Sequence, residues 1–392
     1  MSHVLRSAPD APLPPKSASQ PTIKTRLRRG VLAAHLWLGL IVGIYFVAVG
    51  LTGSILVFQD EIDAWRLPEM VHVGAPAADA RPLSLSAIIR DAQAEFPARA
   101  GRRISSIQMP QHPGGAYVAY LRSAPDSIPD MATLDPYTGR VLHVGPYGGW
   151  PRRLHIYLLM GLPGEIANGY GAALASALLL TGLWLWWPSS CQVLAGRLRV
   201  RTDAGAARLV HDLHNALGIY AVAGLLVLSL TGCALVFAQG FEKAVYAATR
   251  SPADPRPPAV HAAPGAKPLP PDVLLAKSLA IGPVGEPFGV VYPARPGQPF
   301  VCFKRSSPNG LLTFVRIALD PYTGRPLQVE DDRTASLGGK IVRVAGALHY
   351  GQWGGLPVKI VYAVAGLAPL ALLVTGALMY ARKRLRRAAA RR

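Results

Sequence analysis

The sequence predicts an all-α membrane bundle of four helices with two small α+β domains on one side, built as a tandem parallel repeat. Three observations lead to this fold class. Only 16% of the 392 residues are charged, against about 25% in typical soluble domains. Four separate stretches are apolar and long enough to cross a bilayer. The two halves of the chain also match each other in register.

The composition excludes several classes of protein. A hydrophobic content of 51% excludes intrinsic disorder, and three cysteines are too few for a disulfide-rich scaffold. The formal net charge of +19 would suit a nucleic-acid binder. However, most of the excess lies in three segments, which hold 17 Lys and Arg and two Asp: 1–30, 188–211 and 381–392. Because cytoplasmic segments of membrane proteins are enriched in Lys and Arg, we interpret the charge as a topology signal and expect no nucleic-acid partner.

The spans and the charges together define a topology. The predicted spans are Val31–Phe58, Gly169–Trp187, Leu217–Phe237 and Leu356–Tyr380. Both termini and the short middle loop are expected in the cytoplasm, and both large loops outside. The predicted division is a disordered tail 1–29, helix 30–58, outer domain 59–153, outer histidine segment and helix 154–187, cytoplasmic loop 188–211, helix 212–238, outer domain 239–346, outer histidine segment and helix 347–380, and basic tail 381–392.

The repeat is visible when the chain is shifted against itself. His35-Leu-Trp-Leu-Gly39 aligns with His214-Asn-Ala-Leu-Gly218 at a shift of 179, and Leu154-His155 with Leu348-His349 at a shift of 194. Both halves have the order span, outer domain, span, which indicates parallel repeats about an axis along the membrane normal.

The outer segments also resemble each other. Ser84–Phe96 and Pro271–Ile281 are predicted to be short helices, and alternating runs such as Ala116–Arg122 are predicted to be strands. Each domain ends in the same turn, Asp135-Pro-Tyr-Thr-Gly-Arg140 and Asp320-Pro-Tyr-Thr-Gly-Arg325. Neither contains a recognisable hydrolase or phosphate-binding motif.

Four histidines occupy matching positions in the two halves. His35 and His214 begin spans one and three at the cytoplasmic face, and His155 and His349 precede spans two and four at the outer face. A single interfacial histidine is usually structural, but ionisable residues at spans are candidates for function. Four of them at equivalent positions favour a functional interpretation.

A ligand that needs one imidazole from each of two neighbouring helices is an iron porphyrin. Gly39 and Gly218 lie one turn after His35 and His214, and would leave room for a flat macrocycle. The expected cofactors are two haems per chain. His35 and His214 are predicted to hold an inner haem, and His155 and His349 an outer one. His211 is an alternative inner ligand, although the repeat alignment favours His214.

A Leu/Val-Thr-Gly triplet also recurs near the end of every span, at residues 51–53, 180–182, 230–232 and 374–376. Since small residues allow helices to pack closely, we interpret these triplets as structural.

Together, these motifs resemble the PepSY-associated transmembrane family over residues 25 to 385. The resemblance implies PepSY-like periplasmic domains, a bacterial inner-membrane location with cytoplasmic termini, and b-type haem on His35, His155, His214 and His349. The family includes ferrisiderophore reductases. Some relatives carry a cytoplasmic flavodoxin-type or reductase extension, but this chain has no G-x-G-x-x-G motif, so we expect no flavin or nicotinamide site in it.

The leading functional hypothesis is a transmembrane electron conduit. Electrons would pass from an unidentified cytoplasmic or membrane donor, through the inner and outer haems, to a periplasmic acceptor such as a ferric siderophore, and release Fe(II). Two alternatives stay open. One is a transporter of haem, metal or siderophore. Transport helices are often discontinuous near their middle, and we expect no span here to be broken by proline there, which argues against this alternative. The other is a PepSY-type regulator of a periplasmic peptidase.

Overall fold

Four long helices form the membrane part of the molecule. The computed structural model describes residues 22–66, 68, 73, 80–95, 103–112, 114–122, 128, 130–146, 148–188, 194, 196–255, 257–263, 265–293 and 297–392. The long helices are α1 (Ile23–Leu56), α5 (Leu162–Trp186), α6 (Ala206–Val236) and α10 (Gly355–Ala389). Each is long and apolar enough to cross a membrane. The four predicted spans are therefore confirmed as helices.

The helices extend beyond the predicted spans. α1 begins at Ile23, so the end of the predicted disordered tail 1–29 is helical, while residues 1–21 lie outside the described part. α6 takes in residues 206–211 of the predicted cytoplasmic loop 188–211, and residues 189–193 and 195 of that loop lie outside the description. α10 continues through most of the tail 381–392. The apolar runs therefore underestimate the helices, because basic residues extend a helix without adding hydropathy.

The four helices pack in a ring in the order α1, α5, α6, α10. Their shared core is formed by Val42, Phe46, Ala175, Leu179, Val222 and Leu225. α1 and α10 approach most closely at Gly50 and Gly366, where a Cβ on Gly50 would lie 2.6 Å from the Gly366 carbonyl oxygen. Ser54 of α1 donates a hydrogen bond to the Ala363 carbonyl of α10 at 2.8 Å in the same region.

Pro369 lies near the middle of α10, and the helix continues through it. The expectation of unbroken spans therefore holds for this helix, although a proline is present there.

The segments between α1 and α5 and between α6 and α10 form one antiparallel sheet of eight strands. The strands are β1 (Arg103–Gln108), β2 (Tyr117–Arg122), β3 (Asp130–Leu134), β4 (Val141–Pro146), β5 (Glu286–Val291), β6 (Phe300–Arg305), β7 (Phe314–Leu319) and β8 (Pro326–Asp331). Their order is β4-β3-β2-β1-β5-β6-β7-β8. The two segments that the sequence divides into separate domains thus share a sheet, because β1 pairs with β5 through Ser106–Val291, Ile107–Val290 and Gln108–Gly289.

Two short helices pack against this sheet. They are α3 (Leu85–Glu95) and α8 (Pro271–Leu279), close to the predicted bounds. Residues of both halves form a single buried cluster that includes Ile107 and Phe300. The helices are also linked directly, since the Asp272 carboxylate accepts from the Ser86 backbone N–H at 3.2 Å.

The two repeated turns have the same structure. The Asp135 carboxylate accepts from the Tyr137 N–H at 2.8 Å, and the Asp320 carboxylate accepts from the Tyr322 N–H at 2.8 Å. The turns connect β3 to β4 and β7 to β8, so a strand follows each turn, whereas the sequence analysis placed the turns at the ends of the domains.

Four further helices join the sheet to the bundle. α2 (Gln59–Arg66) and α7 (Ala238–Thr249) follow α1 and α6, whereas α4 (Gly149–Tyr157) and α9 (Leu337–Tyr350) precede α5 and α10. The domain boundaries predicted at 153/154 and 346/347 fall inside α4 and α9. We call the end of the bundle next to the sheet the sheet side, and the opposite end the tail side.

Candidate functional site

The four histidines form two pairs at opposite ends of the bundle. His35 of α1 and His214 of α6 meet toward the tail side, with ring centres 6.5 Å apart. His155 of α4 and His349 of α9 meet at the sheet side, with ring centres 6.1 Å apart. The structure thus brings together the residues that the sequence analysis paired. Each pair takes one imidazole from each half of the chain.

His155 and His349 lie on short helices of their own. α4 ends at Tyr157, and the chain then turns through Leu158 and Leu159, which have positive φ values of 47° and 60°. α9 ends in the same way at Gly351, with a φ of 67°. These turns direct the chain into α5 and α10, and leave each histidine in the last turn of a helix that packs against a neighbouring span.

Each histidine also contacts a threonine on a spanning helix. Every Nδ1 atom lies within hydrogen-bonding distance of one threonine hydroxyl. The pairs and their Nδ1–Oγ1 distances are His35 with Thr181 (3.0 Å), His155 with Thr52 (3.2 Å), His214 with Thr375 (2.9 Å) and His349 with Thr231 (3.1 Å).

The threonine hydroxyls are oriented by their own helices. Each donates to a backbone carbonyl three or four residues earlier, at distances from 2.6 to 2.8 Å. A hydroxyl has one hydrogen, so the oxygen then accepts from the histidine Nδ1–H. The carbonyl oxygens of Val49 and Leu228 also accept from His155 and His349, at 3.0 and 3.2 Å. The proton is therefore on Nδ1, and Nε2 keeps its lone pair as a metal ligand requires.

The glycine after each threonine contacts the same histidine ring. A Cβ placed on Gly182, Gly232, Gly53 or Gly376 would lie 2.9, 3.0, 3.2 or 3.4 Å from the Cε1 atom of its histidine. The glycine thus allows the imidazole edge to lie against the helix backbone. Threonine and glycine together fix both the tautomer and the position of the ring.

The electrostatic environment keeps the sheet-side pair, His155 and His349, neutral. Burial, together with the neighbouring His349, lowers the pKa of His155 to about 4. Burial also lowers the pKa of His349. Both imidazoles are consequently uncharged at neutral pH, which is the state that coordinates metals.

A cavity of about 370 Å³ lies between the helices at the sheet side. His155 and His349 line it, and Phe46 and Leu225 of the bundle core form part of its wall. Small-molecule and cofactor pockets typically have volumes of about 300–1,000 Å³. The sheet-side histidine pair therefore faces a space of the size that a cofactor occupies.

The remaining predicted site residues lie as follows. A Cβ on Gly39 would have Leu178 as its nearest neighbour at 3.8 Å, and one on Gly218 would have Leu372 at 3.8 Å. A Cβ at either position would make an ordinary van der Waals contact, so no close neighbour in the protein requires a glycine there. The His211 side chain is 52% exposed, and its ring lies within 3.2 Å of the Asn215 amide nitrogen. The ring contact with His35 is made by His214, the residue that the repeat alignment favours.

The sequence analysis missed the role of the Leu/Val-Thr-Gly triplets, which it interpreted as helix-packing residues. The sequence contains a signal for this role, because there is one triplet for each histidine and the triplets align between the two halves at the same shifts as the histidines. Sequence spacing alone does not indicate that the threonine of one span faces the histidine of another element.

Among the residues that the structure describes, no group of three or more His, Cys, Asp or Glu side chains is placed to hold a metal ion. The candidate site consists of the two histidine pairs.

The family model of the PepSY-associated TM region matches residues 32–383. The chain belongs to this family. The match covers all four spanning helices apart from their outermost residues, as well as the whole sheet. It agrees with the resemblance seen in the motifs, and it supports a membrane protein. A search of curated proteins finds no match.

Proposed function

We propose that this member of the PepSY-associated TM family is a di-haem electron conduit of a bacterial inner membrane. It would pass electrons across the membrane to an acceptor on the sheet side, most specifically a ferric siderophore, and so release Fe(II) for iron acquisition. The observation that carries the proposal is the presence of two imidazole pairs at opposite ends of one helix bundle, with ring centres 6.5 and 6.1 Å apart.

The distances within the pairs support haem binding. With ring centres 6.5 and 6.1 Å apart, the two imidazoles of each pair could both bind one haem iron placed between them. The Nδ1 hydrogen bonds to threonine leave both Nε2 atoms of each pair available as ligands. His35 and His214 would hold the inner haem, and His155 and His349 the outer one.

Haem iron supplies a reversible one-electron couple between Fe(III) and Fe(II). The histidines would hold this couple at two locations. The apolar core with Val42, Phe46 and Leu225 lies in the bundle between them. His35 and Thr52, which contacts His155, are 17 residues apart on α1, or about 25 Å of helix. The two pairs thus divide the membrane crossing into shorter steps.

The charge distribution supports the orientation of the chain in the membrane. The ends of the helices on the tail side carry the Lys and Arg excess, which favours a cytoplasmic location. The sheet would then be periplasmic. A reduced donor in the cytoplasm or the membrane would lose the electron that the ferric acceptor gains.

The same contacts recur in both halves, which favours a tandem parallel repeat with each haem bound between the halves.

The first experiment measures haem directly. The full chain is purified in detergent from cells supplied with haem, and spectra are recorded before and after dithionite reduction. We expect about two haems per chain. His155→Ala and His349→Ala should each remove the outer haem, and His35→Ala and His214→Ala the inner one. His261→Ala, an exposed histidine outside both pairs, is the control.

The second measurement is electron transfer to a ferric chelate. A reduced chain with two haems should be reoxidised by two equivalents of chelate, with two equivalents of Fe(II) trapped by a ferrous indicator. A colourless protein would overturn the proposal and favour the transporter or peptidase-regulator alternatives. A haem protein that ferric chelates do not reoxidise would keep the conduit and exclude this acceptor.

A further inference from the structure

The helices that carry the sheet-side histidines are short. α4 has nine residues and α9 has 14, and His155 and His349 lie in their last turns. The last four carbonyl groups of an α-helix have no partner within the helix, and helices shorter than about 12–15 residues are marginally stable on their own. The position of each imidazole therefore depends on what holds the last turn of its helix.

Asn168 of α5 holds the end of α4. Its Nδ2 donates to the carbonyl oxygens of His155 and Ile156, at 2.9 and 3.2 Å. Its Oδ1 accepts from the hydroxyl of Tyr45 on α1, at 2.7 Å. Since a carbonyl oxygen only accepts hydrogen bonds, these partners fix the orientation of the amide. Asn168 thus joins α4 to two spanning helices.

Tyr362 of α10 holds the end of α9. Its hydroxyl donates to the carbonyl oxygen of Leu348, the residue before His349, and accepts from Nε1–H of Trp353 at 3.4 Å. The ring of Tyr362 packs against Gly351, where a Cβ would lie 2.5 Å from the ring atom Cδ1. The last turn of α9 is thereby fixed to α10. We call Asn168 and Tyr362 the anchors.

The anchors occupy equivalent positions in the two halves. At the shift of 194 that aligns His155 with His349, Asn168 aligns with Tyr362. An amide and a phenol differ in size and shape, but both donate hydrogen bonds. In both halves the donor reaches a carbonyl oxygen in the last turn of the histidine helix. The contact recurs although the residue type does not, which favours a shared role in holding the histidine.

The anchors also lie at the same level of the bundle as the histidines. Asn168 and Tyr362 line the same cavity as His155 and His349. Polar side chains in spanning helices are costly unless they find partners, and they commonly bond across helices or serve a function. The partners of both anchors belong to the helices that carry the histidines.

We propose that Asn168 and Tyr362 are the positioning residues of the sheet-side histidine pair. By holding the last turns of α4 and α9 against α5 and α10, they set the positions from which His155 and His349 ligate one haem. This inference rests on the proposed function, because it concerns the ligands of the outer haem. It adds a restraint on the helix backbone to the contacts that the threonines make with the imidazole rings.

The test removes the hydrogen bonds of each anchor in the full chain. Tyr362→Phe removes only the hydroxyl, and Asn168→Leu nearly keeps the size of the side chain. In a haem titration, we expect each variant to bind the outer haem about tenfold more weakly and the inner haem as before. The reduction potential and the electron paramagnetic resonance spectrum of the outer haem should also shift, since both respond to the arrangement of the axial ligands. A role in stability alone would leave these two signals unchanged.

Two further variants locate the effect. Tyr45→Phe removes the bond that orients Asn168, and should shift the same signals by a smaller amount. Tyr170→Phe is the matched control, because it loses the same hydroxyl group from an exposed position on α5, two residues after Asn168. Unchanged outer-haem signals in Asn168→Leu and Tyr362→Phe, or an equal effect of Tyr170→Phe, would overturn the proposal.

Hydrogen–deuterium exchange of the haem-free chain separates this proposal from the electron conduit. Asn168→Leu should speed amide exchange about fivefold in the last turn of α4 only, and Tyr362→Phe in the last turn of α9 only. These changes in a chain that binds no haem would support the anchors and reject the conduit. Two haems per chain, with exchange and outer-haem signals unchanged in both variants, would support the conduit and reject the anchors.

Discussion

The Thr231 hydroxyl of α6 lies 3.1 Å from Nδ1 of His349 on α9. Thr231 donates its own hydrogen to the Val227 carbonyl at 2.6 Å, so its oxygen is fixed as an acceptor. A spanning helix of the bundle thereby sets the tautomer of a histidine on a different helix. The same relationship occurs at all four histidines, so the position of each imidazole depends on the packing of two elements rather than on one.

Thr231→Val tests this relationship. Valine has nearly the same shape but accepts no hydrogen bond, so Nδ1 of His349 loses one of its two acceptors and keeps only the Leu228 carbonyl at 3.2 Å. Losing such an outer partner typically lowers metal affinity about 10- to 100-fold. We therefore expect the variant to bind the outer haem about 10- to 100-fold more weakly and the inner haem as before. Haem titration of the purified chain measures both affinities.

Thr231→Ser and Thr249→Val are the matched controls. Serine keeps the acceptor and should restore haem binding. Thr249 of α7 makes the same type of hydrogen bond to the Val245 carbonyl, at 2.8 Å, and its replacement should leave the outer haem bound. If Thr231→Val binds haem as tightly as the unmodified chain, the hydroxyl does not position His349.

Gly232→Ala should disturb the same histidine by a steric route. The added Cβ would lie 3.0 Å from Cε1 of His349, so the ring must move by a few tenths of an ångström. Gly224→Ala is on the same helix and meets no atom within 4 Å. We expect a shift in the spectrum or the reduction potential of the outer haem in Gly232→Ala only. Equal effects of the two variants would mean that the change acts through the helix itself.

His211→Ala distinguishes the two candidate inner ligands. His214 contacts the His35 ring, whereas the half-exposed His211 lies next to Asn215. The His211 variant should therefore retain both haems, and His214→Ala should lose the inner one. The reverse result in the haem-to-protein ratio would assign the ligand to His211.

Gly218→Ala tests the macrocycle clearance. In the protein, the new methyl group would meet only Leu372, at 3.8 Å, which is an ordinary contact. We therefore expect the thermal stability of the haem-free chain to be unchanged, while binding of the inner haem weakens because the methyl group occupies its space. Unchanged haem affinity would show that Gly218 does not border the macrocycle.

Much of the bundle can be predicted from the sequence. The apolar runs locate four helices, and the matching shifts of His35 with His214 and of His155 with His349 predict the two pairs. Length and hydropathy do not locate the helix ends, because Lys, Arg and Ala extend α10 well past its apolar part.

The sheet could not be predicted in the same way. The pairing of β1 with β5 joins residues such as Ile107 and Val290, which are far apart in the chain. A repeat pattern shows that two segments are alike, but it contains no signal that their edges meet. The contacts of Thr52 and Thr231 with histidines are hidden for the same reason, since they depend on how the helices are rotated against each other.

An ion-pair network stabilises the second half of the sheet. Asp332 is only 2% exposed, and its carboxylate accepts from Arg343, Arg316 and the Phe314 N–H, at 3.0, 3.1 and 2.9 Å. Arg343→Met would leave this buried carboxylate with one cation fewer. Breaking a buried ion pair costs about 3–5 kcal/mol, and we expect a value near the lower limit because Arg316 remains.

Denaturant unfolding of the purified chain, followed by near-ultraviolet circular dichroism, measures this loss in the free energy of unfolding. Arg333→Met is the matched control, because Arg333 pairs with Asp331 at 2.7 Å but is 51% exposed. Its loss should have a much smaller effect, since solvent screens exposed pairs. If the two variants are equally stable, burial does not strengthen the Asp332 network. If only Arg343→Met is destabilised and both haems remain bound, the network supports the sheet without contributing to the histidine pairs.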